Sequence, residues 1–348
     1  MAKSGNPFFT CCWITLLVLV ISLIIAIVSL YFGQDELIYQ NDWPSPYEEY
    51  PEENQEGLRN PGEKKMPYED ITIETEDNVR LSGWFIHNGN RTKLTPTLVF
   101  MHATSGNIGH KLAWAENVYM NLGLNIVLVG YRGYGHSEGS PSEKGLQKDS
   151  KAIIKWTLDN PRINNNQVYI FGEGLGGAVG VYGAQFYPNQ LKGLILENTP
   201  EDMKHMVDDT NWLFRLLRPL ILANYWPTNE RLKNTTIPIL FISGTETTTH
   251  DDMQRLRDQL KNTTYVDFLT VPKADKDNTW RMGGKAYLKA IDEFILKTRT
   301  MINVPVQAQA EIKSGNSTNT QASATTGVQP APQPVPQPIL VANTTAAK

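Results

Sequence analysis

Val168-Tyr169-Ile170-Phe171 runs directly into Gly172-Glu173-Gly174-Leu175-Gly176-Gly177-Ala178. A short apolar run, a glycine-punctuated turn and a small-residue helix start follow one another without a gap. This is the form of the G-x-S-x-G turn, whose glycines let a strained bend lift the central side chain above a sheet. The central residue here is Gly174, which has no side chain to lift. Glu173 stands one residue off the apex and is expected to point elsewhere.

Outward from this turn, strands and helices alternate. Ile71–Thr75 and Leu81–Ile86 flank Glu76-Asp77-Asn78 and predict a hairpin. Short apolar runs follow at Thr97–His102, Asn125–Val129, Val168–Gly172, Gly193–Leu196, Ile237–Ser243 and Tyr265–Val271. Helix-like segments such as Lys144–Leu158 and Lys285–Lys297 separate them. The pattern predicts a mostly parallel, doubly wound α/β sheet over residues 67–300. In such sheets ligands bind beyond the carboxyl ends of the strands. Residues 200–233 are too long for a simple connection and carry Trp212, Leu213, Phe214, Leu216, Leu217 and Leu220. With Ile221 and Leu222, they predict a short helical cap whose apolar residues either pack on the core or line an acyl-sized pocket.

The ends have different compositions. Trp13–Phe32 is twenty residues without a charge, the length of a membrane-spanning helix, so the lipid bilayer is the expected partner of residues 13–32. A cleaved signal peptide fits less well, because the apolar run is long and Tyr31-Phe32-Gly33 is a poor cleavage site. Lys3 precedes the span, and no Lys or Arg follows it before Arg59. Positive-inside bias therefore predicts a cytosolic residue 1–12 segment and a single-pass type II protein, with its domain in the lumen or outside. Sequons at Asn90, Asn234, Asn262, Asn316 and Asn343 favour the same side and are glycosylation candidates. Residues 33–66 read as an acidic, Pro-rich linker, and 301–348 as a disordered Gln/Pro/Thr-rich tail. Cys11 and Cys12 are the only cysteines, which excludes a thiol nucleophile or disulfide in the domain. The pair reads either as an S-palmitoylation site or as small apolar helix residues.

A net charge of −4 gives no reason to expect nucleic acid. His102, His110, His136 and His205 show no metal-ligand spacing, so no metal is expected, and no motif asks for a cofactor.

Two further loops give the turn its context. His102-Ala103-Thr104-Ser105-Gly106-Asn107-Ile108-Gly109-His110 follows one strand, and Tyr131-Arg132-Gly133-Tyr134-Gly135-His136-Ser137-Glu138-Gly139-Ser140-Pro141-Ser142-Glu143 follows the next. With the turn, they resemble the alpha/beta hydrolase domain-containing protein 13 group, the Bem-like membrane-anchored serine hydrolases, from about Pro67 to Lys297. The resemblance implies an α/β-hydrolase fold, a Ser-Asp-His triad in that chain order, and oxyanion donors at Ala103 and Leu175. Residue by residue, the nucleophile position falls on Gly174, the acid on Thr247 and the base on Lys276, where the family's G-T-H-N-D-T-W meets Ala274–Trp280. The elbow residues Gly172, Glu173 and Gly176 are retained. Independently of the resemblance, no His occurs after His250, so the last loop cannot supply a base. Losing Ser or His from such a triad costs about 10⁶ in turnover.

The reading that follows is a pseudohydrolase that binds an acyl group, a lipid or a protein in a retained pocket. The alternatives are an active esterase or acyl-protein thioesterase with a non-standard site, for which Ser105 and Ser137 are the nucleophile candidates, and a surface protein working through its tail. Arg132 and Glu138 are expected to hold their loop by hydrogen bonds rather than act in chemistry.

Overall fold

The computed structural model describes residues 7–44, 48–204 and 212–301. The hairpin and the six apolar runs become one eight-stranded sheet of order β1-β2-β4-β3-β5-β6-β7-β8. β1 (Tyr68–Glu74) and β2 (Arg80–Ile86) are the antiparallel hairpin, and β2 also runs antiparallel to β4 (Asn125–Val129). β3 (Thr97–Met101), β4, β5 (Val168–Glu173), β6 (Leu191–Glu197), β7 (Ile239–Gly244) and β8 (Val266–Val271) are mutually parallel. β3 and β4 are buried at every position, as strands covered on both faces must be. β1 buries only Ile71 and Ile73 between exposed neighbours, which suits an edge.

Helices cover both faces. α2 (Leu112–Leu122) and α8 (Thr279–Thr298) bring Trp114, Val118, Ile291 and Phe294 against Leu98 and Phe171. On the other face, α3 (Glu143–Asp159) and α4 (Leu175–Ala184) bring Ile153, Ile154, Ala178 and Val179 against Val99 and Ile170. α7 (His250–Asp258) adds Met253 and Leu256 to that second cluster. α8 starts earlier than Lys285 because its break is local. Gly284 alone takes φ 47°, ψ −123°, and helix continues on both sides.

α1 runs from Pro7 to Ile38, past the Phe32 end expected from hydropathy, and is long and apolar enough over Cys11–Ile38 to cross a membrane. The stretch after it is not a bare linker. Tyr39, Pro51, Pro61 and Met66 turn inward while Glu52, Glu53 and Glu56 stay outside. Gln40 bridges to Ser105, and the segment becomes a strap laid over the loop after β3. The apolar and ring side chains spaced among the glutamates are what hold it down.

The cap contains α5 (Trp212–Ile221) and α6 (Thr228–Leu232). Its apolar residues do neither of the two things expected of them as a set. Trp212, Leu216 and Leu220 point outward at 76%, 67% and 57% exposure, whereas Ile221, Leu222 and Trp226 are buried. Residues 205–211, the side chains of Leu213 and Phe214, and the tail from residue 302 lie outside the described residues.

Candidate functional site

β5 ends at Glu173, and the chain turns at Gly174 with φ 55°, ψ −127° before α4 begins at Leu175. The positive φ is the strained apex expected of the elbow, and glycine meets it without cost. Gly172 and Gly176 are glycines for another reason. A Cβ on Gly172 would strike Gly177 Cα, and one on Gly176 would overlap the carbonyl oxygens of Met101 and His102. The turn is thus packed against the end of β3 while its apex is open.

Thr247 follows β7 and Lys276 follows β8, so the parallel sheet brings Gly174, Thr247 and Lys276 to its same edge. Their side chains do not form a constellation. Thr247 Oγ1 donates to Gly244 O at 3.0 Å. The Lys276 side chain is 75% exposed and reaches only Asp277, at 3.3 Å. Its loop is closed by Asp275, whose carboxylate accepts from the backbone N–H groups of Asp277 and Asn278 at 2.9 and 3.0 Å. Asn198 ties the two loops together. Its Oδ1 accepts from Gly244 N at 3.0 Å and its Nδ2 donates to Thr279 Oγ1 at 2.9 Å. Asn198 adopts φ 47°, which asparagine tolerates better than most residues.

His102 and His250 are committed to structural hydrogen bonds. His102 Nδ1 lies 2.7 Å from Ala103 O, and its Nε2 accepts from Tyr131 N at 3.3 Å, which fixes the Nδ1–H tautomer. Burial lowers its pKa to about 3. A neutral ring with both nitrogens on backbone groups is no general base. His250 Nδ1 pairs with Ser243 Oγ at 2.9 Å and its Nε2 with Gln254. That Ser–His pair invites attention, but Ser243 is wholly buried within the end of β7. Ser137, one of the alternative nucleophiles, donates to Gly130 O and accepts from Ser82 N, pinning the loop after β4. Ser105 pairs with Gln40 as a backbone bridge, a contact that does not involve its hydroxyl. Arg132 forks to Asp77 and Asp149, while Glu138 pairs with Arg80 at the surface.

The loop after β3 is held from outside the domain core. Asn107 and Asn54 exchange amide hydrogen bonds at 2.8 and 2.9 Å, and Asn107 Nδ2 also donates to Glu48 O. Nothing in the sequence marks Asn54 as a partner for Asn107, because the two meet only once the strap is folded down.

Beside the elbow, a cavity of about 110 Å³ opens between Phe100, Trp114, Glu173, Glu197, Trp280 and Arg281. Glu173 and Glu197 are register partners at the ends of β5 and β6. Glu173 Oε2 lies 2.8 Å from Lys111 Nζ as an ion pair without a well-directed hydrogen bond. Glu197 is 2% exposed and accepts from Tyr287 Oη at 2.5 Å, and Tyr287 in turn accepts from Trp114 Nε1 at 2.8 Å. Burial first, and the Glu173 charge second, push the Glu197 pKa up to about 8. Glu197 is thus a buried carboxyl group in the wall of a cavity that His110 also lines. Of the glycosylation candidates, Asn90 and Asn234 are exposed and Asn262 is half-buried.

A βαβ-wound sheet with a tight strand-turn-helix elbow at its centre defines the class, and the α/β-hydrolase-fold family model matches residues 96–282. The chain belongs to that family. Within it, the chain groups with Bem46-like membrane proteins. It is 32% identical over 64% of its length to protein bem46 of Schizosaccharomyces pombe, of which it covers 72%. It is 29% identical to the α/β-hydrolase domain-containing protein WAV2 of Arabidopsis thaliana, over 76% of this chain and 88% of that one. A membrane protein of Saccharomyces cerevisiae, YNL320W, is 31% identical over 63% of this chain and 74% of its own. Among solved structures, the esterase Pf2001 of Pyrococcus furiosus superposes with TM-score 0.56 at 21% identity, covering 69% of this chain and 94% of that one.

Proposed function

We propose that the chain is a single-pass type II membrane protein whose hydrolase-fold domain has given up serine-hydrolase chemistry and works by binding a ligand or a protein. One observation carries this reading: the elbow keeps its strained backbone and its packing glycines, yet its apex is Gly174. A covalent acyl intermediate needs a nucleophilic atom at that point and a base within hydrogen-bond reach. Neither Gly174 nor the solvent-facing Lys276 supplies one. Retention of the elbow's backbone and its close-packed glycines without the nucleophile favours a scaffold kept for binding. Residues 13–32 supply the membrane anchor, and the lumen-facing orientation rests on the flanking charges and the exposed sequons Asn90 and Asn234.

The test is labelling of the full chain in detergent by a fluorophosphonate probe, beside a Gly174→Ser/Thr247→Asp/Lys276→His variant. The expected result is no labelling of the wild type. Labelling of the wild type at a mapped serine would overturn the reading and identify an active esterase.

A further inference from the structure

α5 presents an apolar stripe that the domain does not use. Trp212, Leu216, Pro219 and Leu220 recur at helical spacing and are exposed, with exposed Arg215 at the edge of the stripe. A lone stripe of this kind names no partner. Its place in the fold does, because α5 is fastened to α1.

The fastening is made at Gln34, a buried residue just past the apolar run. Its Oε1 accepts from Ala223 N and Asn224 N at 2.8 and 3.0 Å, and its Nε2 donates to Ile221 O at 3.2 Å. Asp35 accepts from Asn224 Nδ2 at 2.7 Å, and Tyr39 Oη donates to Asn224 Oδ1 at 2.8 Å. The C-terminal end of α5 is therefore held two residues beyond Phe32, about 3 Å along the helix axis. α5 also packs against α1. The half-buried α1 residues Ile27 and Leu30 share a helical face with Gln34, on the side that leads back into the apolar run. The rest of that run is bare, with Phe32 at 78% exposure.

We infer that α5 is an interfacial helix whose Trp212–Leu216–Leu220 face sits in the outer edge of the bilayer beside α1. A helix about 15 Å long, fastened where the span ends and packed against it, carries this face at the level of the bilayer edge. Trp and Leu on one face with Arg at the border is the pattern of a helix lying at the headgroup boundary. The cap would then rest on the lipid surface, with its buried side (Ile221, Leu222, Trp226) on the domain. This inference rests on the reading of α1 as a membrane span.

The test uses the full chain in phosphatidylcholine vesicles, with Cys11→Ser and Cys12→Ser and one added cysteine carrying an environment-sensitive fluorophore. The added cysteine is Leu216→Cys, Leu19→Cys in α1, or Leu94→Cys at the opposite edge of the sheet. Lipids brominated on their acyl chains are expected to quench positions 216 and 19 and leave 94 unchanged. Quenching at 19 without loss at 216 overturns the inference and leaves the span intact. A concentration-dependent blue shift at 216 without quenching overturns it in favour of a second copy on this face. Quenching at neither position removes the span reading and the inference with it.

Discussion

Gly174 and Ala103 face each other across an open apex: a Cβ built on Gly174 would stand 3.5 Å from Ala103 Cβ and meet nothing else within 4 Å. A serine fits there sterically, and only its positive φ is unfavourable. Gly174→Ser is therefore expected to fold and to lose about 1–3 kcal/mol, the usual strain at such a position. Gly176→Ser is expected to fail, because its Cβ would overlap the Met101 and His102 carbonyl oxygens. Denaturant midpoints and soluble yield separate the two. Equal losses would mean that the turn is not held as described.

Glu197 gives a pH signature. Its folded pKa of about 8 lies above its ordinary value of 4.5, so the folded state holds a proton that the unfolded state releases between those values. The stabilising contribution is complete below about pH 4.5 and is lost as pH rises through about 8, with a slope on the order of 1.4 kcal/mol per pH unit. Glu173, Lys111, His110, Asp277, Arg281, Trp114 and Tyr287 are charged and polar groups around it and remain in both proteins compared. Urea unfolding at pH 5, 7 and 9 should show wild type losing stability relative to Glu197→Gln. Parallel pH curves would remove the buried, protonated carboxyl.

Arg132 and Asp149 form the buried ion pair behind the loop after β4. Asp149 is fully buried and accepts from Arg132 N and Nε, each at 2.9 Å. Asp149→Ala removes the acceptors of Arg132 N and Nε and leaves the guanidinium paired with Asp77 alone, so it is expected to cost about 1–3 kcal/mol. Arg132→Lys keeps the charge but not the fork that also reaches Asp77, so it should not restore the wild-type midpoint. Chemical denaturation of each variant measures this directly.

The sheet was legible because its signals are local. Runs that are apolar after their first residue, such as Thr97–Met101 and Asn125–Val129, can hardly be other than covered strands, and the Gly172–Gly177 turn carries its own geometry. The bare apex and the missing late histidine were equally readable, since both are questions of residue identity. What escaped was long-range. Asn54 on Asn107, Gln34 on Ala223 and Asn198 between two loops are single polar side chains that find partners only after the chain has closed. The acidic stretch after α1 looked like a tether because its charges outnumber the few Pro, Tyr and Met residues that pin it down. The cap was legible as helical, but its exposed face of Trp212, Leu216 and Leu220 was not, for a related reason. Hydrophobicity marks a surface that avoids water, but it does not distinguish a core from a membrane.

Gln34 tests how firmly that cap is held. Its side chain satisfies the Ala223 and Asn224 amides and the Ile221 carbonyl just past the end of α5, where helix groups have no partner of their own. Gln34→Ala leaves three backbone groups without that partner, at about 1–3 kcal/mol for each one left buried. The domain core does not depend on them, so the loss should appear as local opening rather than global unfolding. In the full chain in vesicles, hydrogen exchange at Ala223 and Asn224 is expected to speed up by roughly tenfold or more. Exchange in β3 and β5 should stay unchanged. Gln34→Glu keeps an acceptor for the two amides but cannot donate to Ile221, and should recover only part of the protection. If both variants exchange like wild type, the hold on α5 lies in Tyr39, Asp35 and the packing of Trp226 rather than in Gln34.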